Sequence, residues 1–325
     1  MRLPISCAIR HPLETIVPLD RGFDAAVISA MRHFLIPAFV LVLSMAPVVA
    51  KDPLVVQAAN YPLAYFAERI ATDSFDIQYL VDPEVDPAFW KPSDEAMMAF
   101  QQADIILRNG ATYSKWMHHA SLPVAAIVDT SRAFRDTFIE AAGEMHTHGD
   151  GTVHSHGGVA FTTWLDFNQA AIQAEAIARR FAAVMPTDAE AIAVNLESLK
   201  KDLAELDAAM KALGGKIGST PLLASHPIYQ YMARAYGFKI ESLEWEPEME
   251  MTNAALSDLT AIQKTHEAAW MIWEGEPSPE NVTALAAQGI KGIVVSPSAN
   301  RPEDGDWLAV MKQNLESLAK VVPKG

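Results

Sequence analysis

The sequence predicts an α/β protein of two lobes, each with a parallel sheet flanked by helices, joined by a long spine helix. Two series of short apolar runs alternate with amphipathic segments, one in each half of the chain. Strands separated by helices of this kind are typical of parallel sheets covered on both faces. Between the two series lies a stretch with helical periodicity alone.

In the first lobe, apolar runs predict four strands, at 54–58, 77–81, 105–107 and 125–128. A helix is predicted at 63–70. A second helix is predicted to start at the capping residue Ser93 and to run to about 102, since Ser followed by Asp and Glu favours a helix start.

The central stretch predicts two helices. The first spans about 166–184 and ends before Pro186, and the second begins after Thr187 and ends at Gly214 and Gly215. The second helix carries apolar residues along one face, and the glycines that follow are typical of a helix C-terminus. At 1.5 Å per residue, roughly 26 residues give a rod of about 39 Å. We expect this spine to restrict hinge motion between the lobes.

In the second lobe, strands are predicted at 222–224, 240–243, 270–273 and 292–295. Helices are predicted at 229–236, 254–264, 280–287 and 307–321. The predicted boundaries are 51–165 for the N-terminal lobe with a histidine-rich loop at 144–158, 166–215 for the helical linker and spine, and 216–325 for the C-terminal lobe.

The amino-acid composition limits the classes of function that this chain can have. Half of the 325 residues are apolar and 20% are charged, which is typical of a globular protein. The formal net charge of −15 argues against nucleic-acid binding, which needs a basic face.

The N-terminal region carries an export signal. A short basic start at Met31 leads into an apolar run and then into small residues that end at Ala50. This pattern predicts a secretory signal at 31–50, cleavage near Ala50 and a periplasmic location. Residues 1–30 are expected to be an upstream misreading of the start codon, and a genuine extension or an uncleaved anchor is the alternative. Because Cys7 precedes the signal, the mature chain is expected to have no disulfide and no lipid-accepting cysteine.

The loop at 144–158 is the first candidate metal site. It contains His146, His148, His154 and His156, together with Asp150, spaced by Gly, Ser and Thr. Imidazole is a common ligand for Zn²⁺, Cu²⁺ and Ni²⁺, and the spacers cannot build a core. The alternative is a solvated surface loop that happens to carry histidine.

His226 is the second candidate. It follows the predicted strand 222–224, and Pro227 is predicted to start the next helix. Ligands of open α/β sheets bind beyond the carboxyl ends of the strands, so His226 is expected to point into a cleft between the lobes. A structural histidine that caps the turn is the alternative.

Several short motifs stand in order between 54 and 322. They are Tyr61-Pro62-Leu63, Val85-Asp86-Pro87 followed by Lys91-Pro92-Ser93, Ala103-Asp104 leading to Asn109-Gly110-Ala111, Trp164-Leu165-Asp166, His226 with Tyr231 and Tyr236-Gly237, and Asn314-Leu315. In order and spacing the chain resembles the zinc- and manganese-binding solute proteins of bacterial ABC importers. The resemblance implies capture of a divalent metal in the periplasm, delivery to a membrane permease and no turnover of the ligand. It also implies that the histidine loop helps to acquire zinc or to sense its level.

The chain departs from that family at three of four cleft ligands. The resemblance implies ligands at the positions that Ala88, Thr162 and Ser296 occupy here, and His226 alone remains. One imidazole cannot hold zinc tightly, because zinc takes about four ligands. Three explanations for the missing ligands are open. The histidine-rich loop supplies imidazoles, carboxylates take the place of the missing ligands, or the cleft no longer binds metal and binds another solute between its tryptophans. The candidate carboxylates are Glu244, Glu246, Glu248 and Glu250, for which a solvated acidic surface is the favoured alternative.

The sequence therefore predicts a monomeric metal receptor that binds Zn²⁺, with Mn²⁺ as the alternative cation and copper disfavoured. An enzyme is not expected, since the chain lacks a His-Glu-x-x-His helix and a Gly-x-Ser-x-Gly elbow. The alternatives are a zinc hydrolase and a metal-free or altered-ligand paralogue that binds another solute.

Overall fold

The computed structural model describes residues 52–141, 145–147, 153–155 and 158–323, and the side chains of 141, 145–147 and 153–155 are not among the described features. The predicted signal at 31–50 and residues 1–30 therefore lie outside the described residues. No helix in the described part of the chain is both long and apolar enough to cross a bilayer.

The N-terminal lobe is built on four parallel strands. In chain order its elements are β1 (Leu54–Ala58), α1 (Tyr61–Ile70), β2 (Phe75–Gln78), α2 (Asp94–Gln102), β3 (Ile105–Arg108) and β4 (Ile127–Asp129). The strand order is β2-β1-β3-β4, and all pairs are parallel. The predicted cap is confirmed, because the Ser93 side chain accepts a hydrogen bond from the Ala96 amide.

Short antiparallel strands connect this lobe to the central helices. They are β5 (Glu140–Ala141), β6 (Met145–Thr147), β7 (Val153–Ser155) and β8 (Gly158–Val159), with β5 paired to β8 and β6 to β7. The β6–β7 register places the backbone of His146 opposite that of His154. The predicted ligands His148 and His156 lie outside the described residues.

Two long helices, α3 (Phe167–Val184) and α4 (Ala189–Ile217), form the predicted spine. At 29 residues, α4 is about 44 Å long. It continues past the predicted stop at Gly214, where a Cβ would come within 2.2 Å of the Tyr236 carbonyl oxygen. Glycine at 214 thus serves close packing, and the helix ends instead at Gly218, which has φ of 59°.

The C-terminal lobe repeats the topology of the first. Its elements are β9 (Pro221–Ala224), α5 (Gln230–Tyr236), β10 (Lys239–Ser242), α6 (Asn253–His266), β11 (Trp270–Trp273), α7 (Pro279–Ala287), β12 (Lys291–Val294) and α8 (Trp307–Ala319). The strand order β10-β9-β11-β12 is again parallel throughout. The predicted α/β class with two sheets and a spine is confirmed. The predicted helix start at Pro227 is wrong, since α5 begins at Gln230 after a turn closed by Ile228 N–H donating to the His226 carbonyl (3.0 Å).

Direct hydrogen bonds fasten the two lobes together. Tyr61 N–H donates to the Ala299 carbonyl (2.9 Å), and Trp164 Nε1–H donates to the Pro297 carbonyl (2.8 Å). Asn300 lies in the C-terminal lobe, and its amide nitrogen contacts three carbonyl oxygens of the opposite loop, those of Asp82, Pro83 and Val85, at 2.8–3.1 Å. Both lobes contribute to one continuous apolar core. These contacts join the two lobes that form the walls of the cleft.

Candidate metal site in the cleft

Three neighbouring strands of the C-terminal sheet are each followed, within four residues, by a side chain that can bind a metal. His226 comes two residues after β9, Glu246 four residues after β10, and Glu274 directly after β11. Because the strands are parallel, their carboxyl ends meet at one edge of the sheet. In the sheet, β9 lies between β10 and β11, so the segments that carry the three residues are neighbours.

We call these residues the cleft triad. One donor atom from each lies within 4.8 Å of the others. His226 Nδ1 is 3.4 Å from Glu246 Oε1 and 3.9 Å from Glu244 Oε2. His226 is only 6% exposed, whereas Glu246 and Glu274 are half-buried. The structure thus brings one imidazole and two carboxylates to a single point.

The backbone directly before His226 is held by the two neighbouring chain segments. Ser225 N–H donates to the Ile272 carbonyl (2.8 Å), and the Ser225 carbonyl accepts from Trp245 N–H (2.8 Å). These bonds extend the parallel ladder beyond β9. The imidazole position is therefore set by the sheet.

The loop that carries Glu246 is fixed by two buried side chains. Trp245 packs edge-on against Trp273 (4.9 Å between ring centroids), and its Nε1–H donates to the Met249 carbonyl (2.8 Å). The Asn281 amide donates to the carbonyls of Pro247 (2.9 Å) and Met249 (2.8 Å). This fastening points Glu246 into the cleft.

The acidic run around Glu246 therefore divides into two groups. Glu244, Glu248 and Glu250 are exposed, which agrees with the solvated surface that the sequence favoured for the run. Glu246 alone among the four lines the cavity.

The surroundings of Glu274 favour the protonated form of its carboxyl group. Burial raises the pKa of Glu274 well above its usual value, and the charge of Glu246 and a hydrogen bond to it raise that pKa further. The charge of Asp86, which also lines the cleft, acts in the same direction. Two carboxylates held this close need a cation between them, and a proton or a metal ion can fill that role.

The triad opens into a cavity of about 540 Å³ between the lobes. Its N-terminal wall includes Asp86, Lys91, Tyr113 and Phe161. Carboxylates from both lobes and aromatic rings of the N-terminal wall line the cavity, which makes it suitable for a cation.

The three substituted family positions contribute little. Ala88 is buried, and its amide donates to Asp86 Oδ1 (2.8 Å). The Thr162 hydroxyl lines the cavity but donates to the Ile228 carbonyl. Ser296 is tied through its backbone to Asn314, with N–H donating to Oδ1 (2.9 Å) and the carbonyl accepting from Nδ2 (2.7 Å).

Of the residues predicted from the sequence, the structure places His226 in the cleft. The side chains of His146 and His154 are not among the described features, and His148 and His156 lie outside the described residues. Glu274 was missed, although its position directly after the strand 270–273 places it at the same sheet edge as His226.

Comparisons with known proteins agree with this architecture. The family profile described as ZnuA, zinc-uptake complex component A periplasmic, matches residues 56–321. The zinc-binding lipoprotein AdcA of Streptococcus pneumoniae is 24% identical over 277 residues, which cover 79% of this chain and 54% of AdcA. The high-affinity zinc uptake system protein ZnuA of Bacillus subtilis is 24% identical over 280 residues, which cover 82% of this chain and 87% of that protein.

Solved structures share the fold. The metal-dependent lipoprotein YcdH from Bacillus subtilis superposes with a TM-score of 0.71 at 22% identity, covering 83% of this chain and all of YcdH. Zn(II)-bound AdcA from Streptococcus pneumoniae gives a TM-score of 0.70 at 20% identity, covering 84% of this chain and 58% of AdcA. The present chain spans about half the length of AdcA, the first relative compared. The profile match extends over both lobes and the spine, so the chain belongs to the family of periplasmic zinc-uptake components named ZnuA.

Proposed function

We propose that this protein captures a divalent metal ion, Zn²⁺ in the first instance, in the cleft and delivers it to the permease of an ABC importer. The observation that carries the proposal is the convergence of His226, Glu246 and Glu274 within 4.8 Å at the cavity. Zinc accepts both imidazole nitrogen and carboxylate oxygen. The names of two relatives, zinc-binding lipoprotein AdcA and zinc uptake protein ZnuA, also support zinc as the ion.

The geometry requires a modest contraction. Two donors that each lie about 2.1 Å from one zinc ion can be at most about 4.2 Å apart. The triad donors spread over up to 4.8 Å, and the raised pKa of Glu274 favours a proton on its carboxyl group. Metal binding would expel that proton and draw the glutamates inward, while the sheet holds His226 still.

Binding without turnover is part of the proposal. The triad supplies ligands, and the cavity wall holds no nucleophile aligned with a base among the residues named above. We propose a monomeric receptor whose export signal at 31–50 is cleaved near Ala50, with lobes at 51–165 and 216–325 around the linker and spine at 166–215. The histidine-rich loop, through His146, His148, His154 and His156, is proposed to bind additional zinc more weakly.

Equilibrium dialysis of the mature protein against micromolar Zn²⁺ tests the proposal. The protein should retain one tightly bound zinc, and His226→Ala and Glu246→Gln should each abolish that retention. Glu250→Gln, on the exposed part of the same acidic run, is the matched control and should bind as the parent does. Equal retention by Glu246→Gln and Glu250→Gln would refute the site. Hydrolysis of a generic ester by the zinc-loaded protein would favour the hydrolase alternative.

A further inference from the structure

The cleft cavity is much larger than a metal ion requires. Its volume is about 540 Å³, whereas a water molecule occupies about 30 Å³. Pockets for small organic ligands range over about 300–1,000 Å³. The triad comes entirely from the C-terminal lobe, so the remaining space lies toward the N-terminal lobe.

The N-terminal wall adds no metal ligand at the positions where the family has them. Ala88 has no donor atom, and the Thr162 hydroxyl is engaged by the Ile228 carbonyl. An ion on the triad alone therefore has its remaining coordination positions, at least one of about four, on the cavity side. A water molecule or a ligand in the cavity can fill them.

Tyr113 provides an independent observation. It lines the cavity, is 2% exposed, and its hydroxyl makes no hydrogen bond to any residue that the structure describes. The ring is held edge-on by Phe161 (5.3 Å) and Trp164 (5.6 Å). Burial, with the nearby charge of Asp86, raises the pKa of Tyr113, so the hydroxyl keeps its proton. Buried hydroxyls normally have a partner, and here a ligand can supply the acceptor.

Charge and shape define the ligand further. Glu246, Glu274 and Asp86 make the cavity acidic, which favours a complex that remains positively charged overall. Lys91 lines the same cavity and forms no ion pair with a described residue, so it can meet a carboxylate. Phe161 offers an apolar contact for carbon atoms.

We infer that the cleft takes its metal as a complex with a small chelator of the amino-acid type, which carries nitrogen donors and one carboxylate. The triad binds the metal, the chelator fills the open coordination positions, and its carboxylate accepts from Tyr113 and pairs with Lys91. A divalent ion with one such monoanion has a net charge of +1, which suits the acidic cavity. This inference rests on the proposed metal site.

Dialysis of the intact mature protein with Zn²⁺ and radiolabelled L-histidine in a 1:1 mixture tests it. We expect one histidine to be retained for each zinc, and no histidine to be retained without zinc. Citrate, which makes a negatively charged complex, should not be retained with zinc. Retention of zinc without histidine would overturn the inference and leave the metal-binding function standing. Retention of neither would overturn both.

Variants separate a direct contact from a structural effect. Tyr113→Phe should weaken binding of the zinc–histidine complex about tenfold or more, the range for one hydrogen bond to a charged acceptor, and should change binding of zinc alone less than twofold. Lys91→Ala should act in the same direction. Tyr65→Phe, whose hydroxyl accepts from Arg69 away from the cleft, is the control and should change neither. An equal loss for zinc and for the complex in Tyr113→Phe would contradict the proposed contact.

Discussion

Replacing Glu274 with glutamine should weaken metal binding and stabilise the metal-free protein. Burial and the neighbouring Glu246 raise the pKa of Glu274 in the folded state above its unfolded value. The stability that the protonated form contributes is fully present below the unfolded pKa and is lost as the pH rises through the folded pKa. At pH 8 the metal-free parent is therefore destabilised by this group, and the neutral amide removes that effect.

The expected magnitudes follow from the triad. Residues that merely support a metal ligand cost about 10–100-fold in affinity when removed, so loss of a ligand's charge should cost at least about 100-fold. Single stabilising replacements commonly yield roughly 0.5–2 kcal/mol. Each kcal/mol corresponds to about 2–4 °C in Tm for a chain of this size class.

Calorimetric zinc titration and thermal unfolding at pH 5 and pH 8 provide the assay. Glu274→Gln should raise Tm at pH 8 more than at pH 5 in the absence of metal, and it should lose the zinc-induced rise in Tm. Glu276→Gln, two residues further on and exposed, is the control and should behave as the parent. A lower Tm at pH 8 together with intact zinc affinity would refute the assignment of Glu274 as a buried ligand.

Three further changes test other parts of the account. Asn300→Ala removes hydrogen bonds to three carbonyls of the opposite lobe and should cost roughly 1–3 kcal/mol in urea unfolding; a change below about 0.5 kcal/mol would contradict its role in joining the lobes. Gly214→Ala should lower the free energy of unfolding by more than about 2 kcal/mol, because its Cβ meets a backbone carbonyl. Gly215→Ala has open space around its Cβ and should raise the free energy of unfolding by about 0.5–1 kcal/mol. Equal effects of the two variants would contradict the packing argument. Deleting residues 146–156 should leave the tight zinc equivalent in place and remove only weaker ones by calorimetry, and loss of the tight site would move it to the loop.

Much of the fold is predictable from periodicity. The run 270–273 is a strand with the predicted bounds, and the Ser93 cap lies where it was expected. The second strand was predicted at 77–81 but lies at Phe75–Gln78. The reason is tertiary, because Tyr79 leaves the sheet and its hydroxyl donates to Asn300 Oδ1 of the other lobe (2.8 Å). An apolar run cannot distinguish a strand from a bridge between lobes.

The candidate site was only partly predictable. His226 could be assigned from its place after a strand, and Glu246 appeared as one of four equivalent glutamates. What the sequence lacks is the strand order, since the side-by-side arrangement of β10, β9 and β11 is what brings Glu246, His226 and Glu274 together. Glu274 stands in a Trp-Glu-Gly-Glu-Pro segment that resembles an ordinary acidic turn. The Tyr113 hydroxyl gives no signal in the sequence, because its lack of a partner arises from packing in three dimensions.

A crystal of the mature protein soaked in Zn²⁺ and measured at the zinc absorption edge tests the central claim most directly. We expect an anomalous peak within about 2.0–2.2 Å of His226, Glu246 and Glu274. A peak confined to residues 146–156, or no peak in the cleft, would contradict the assignment of the triad as the metal site.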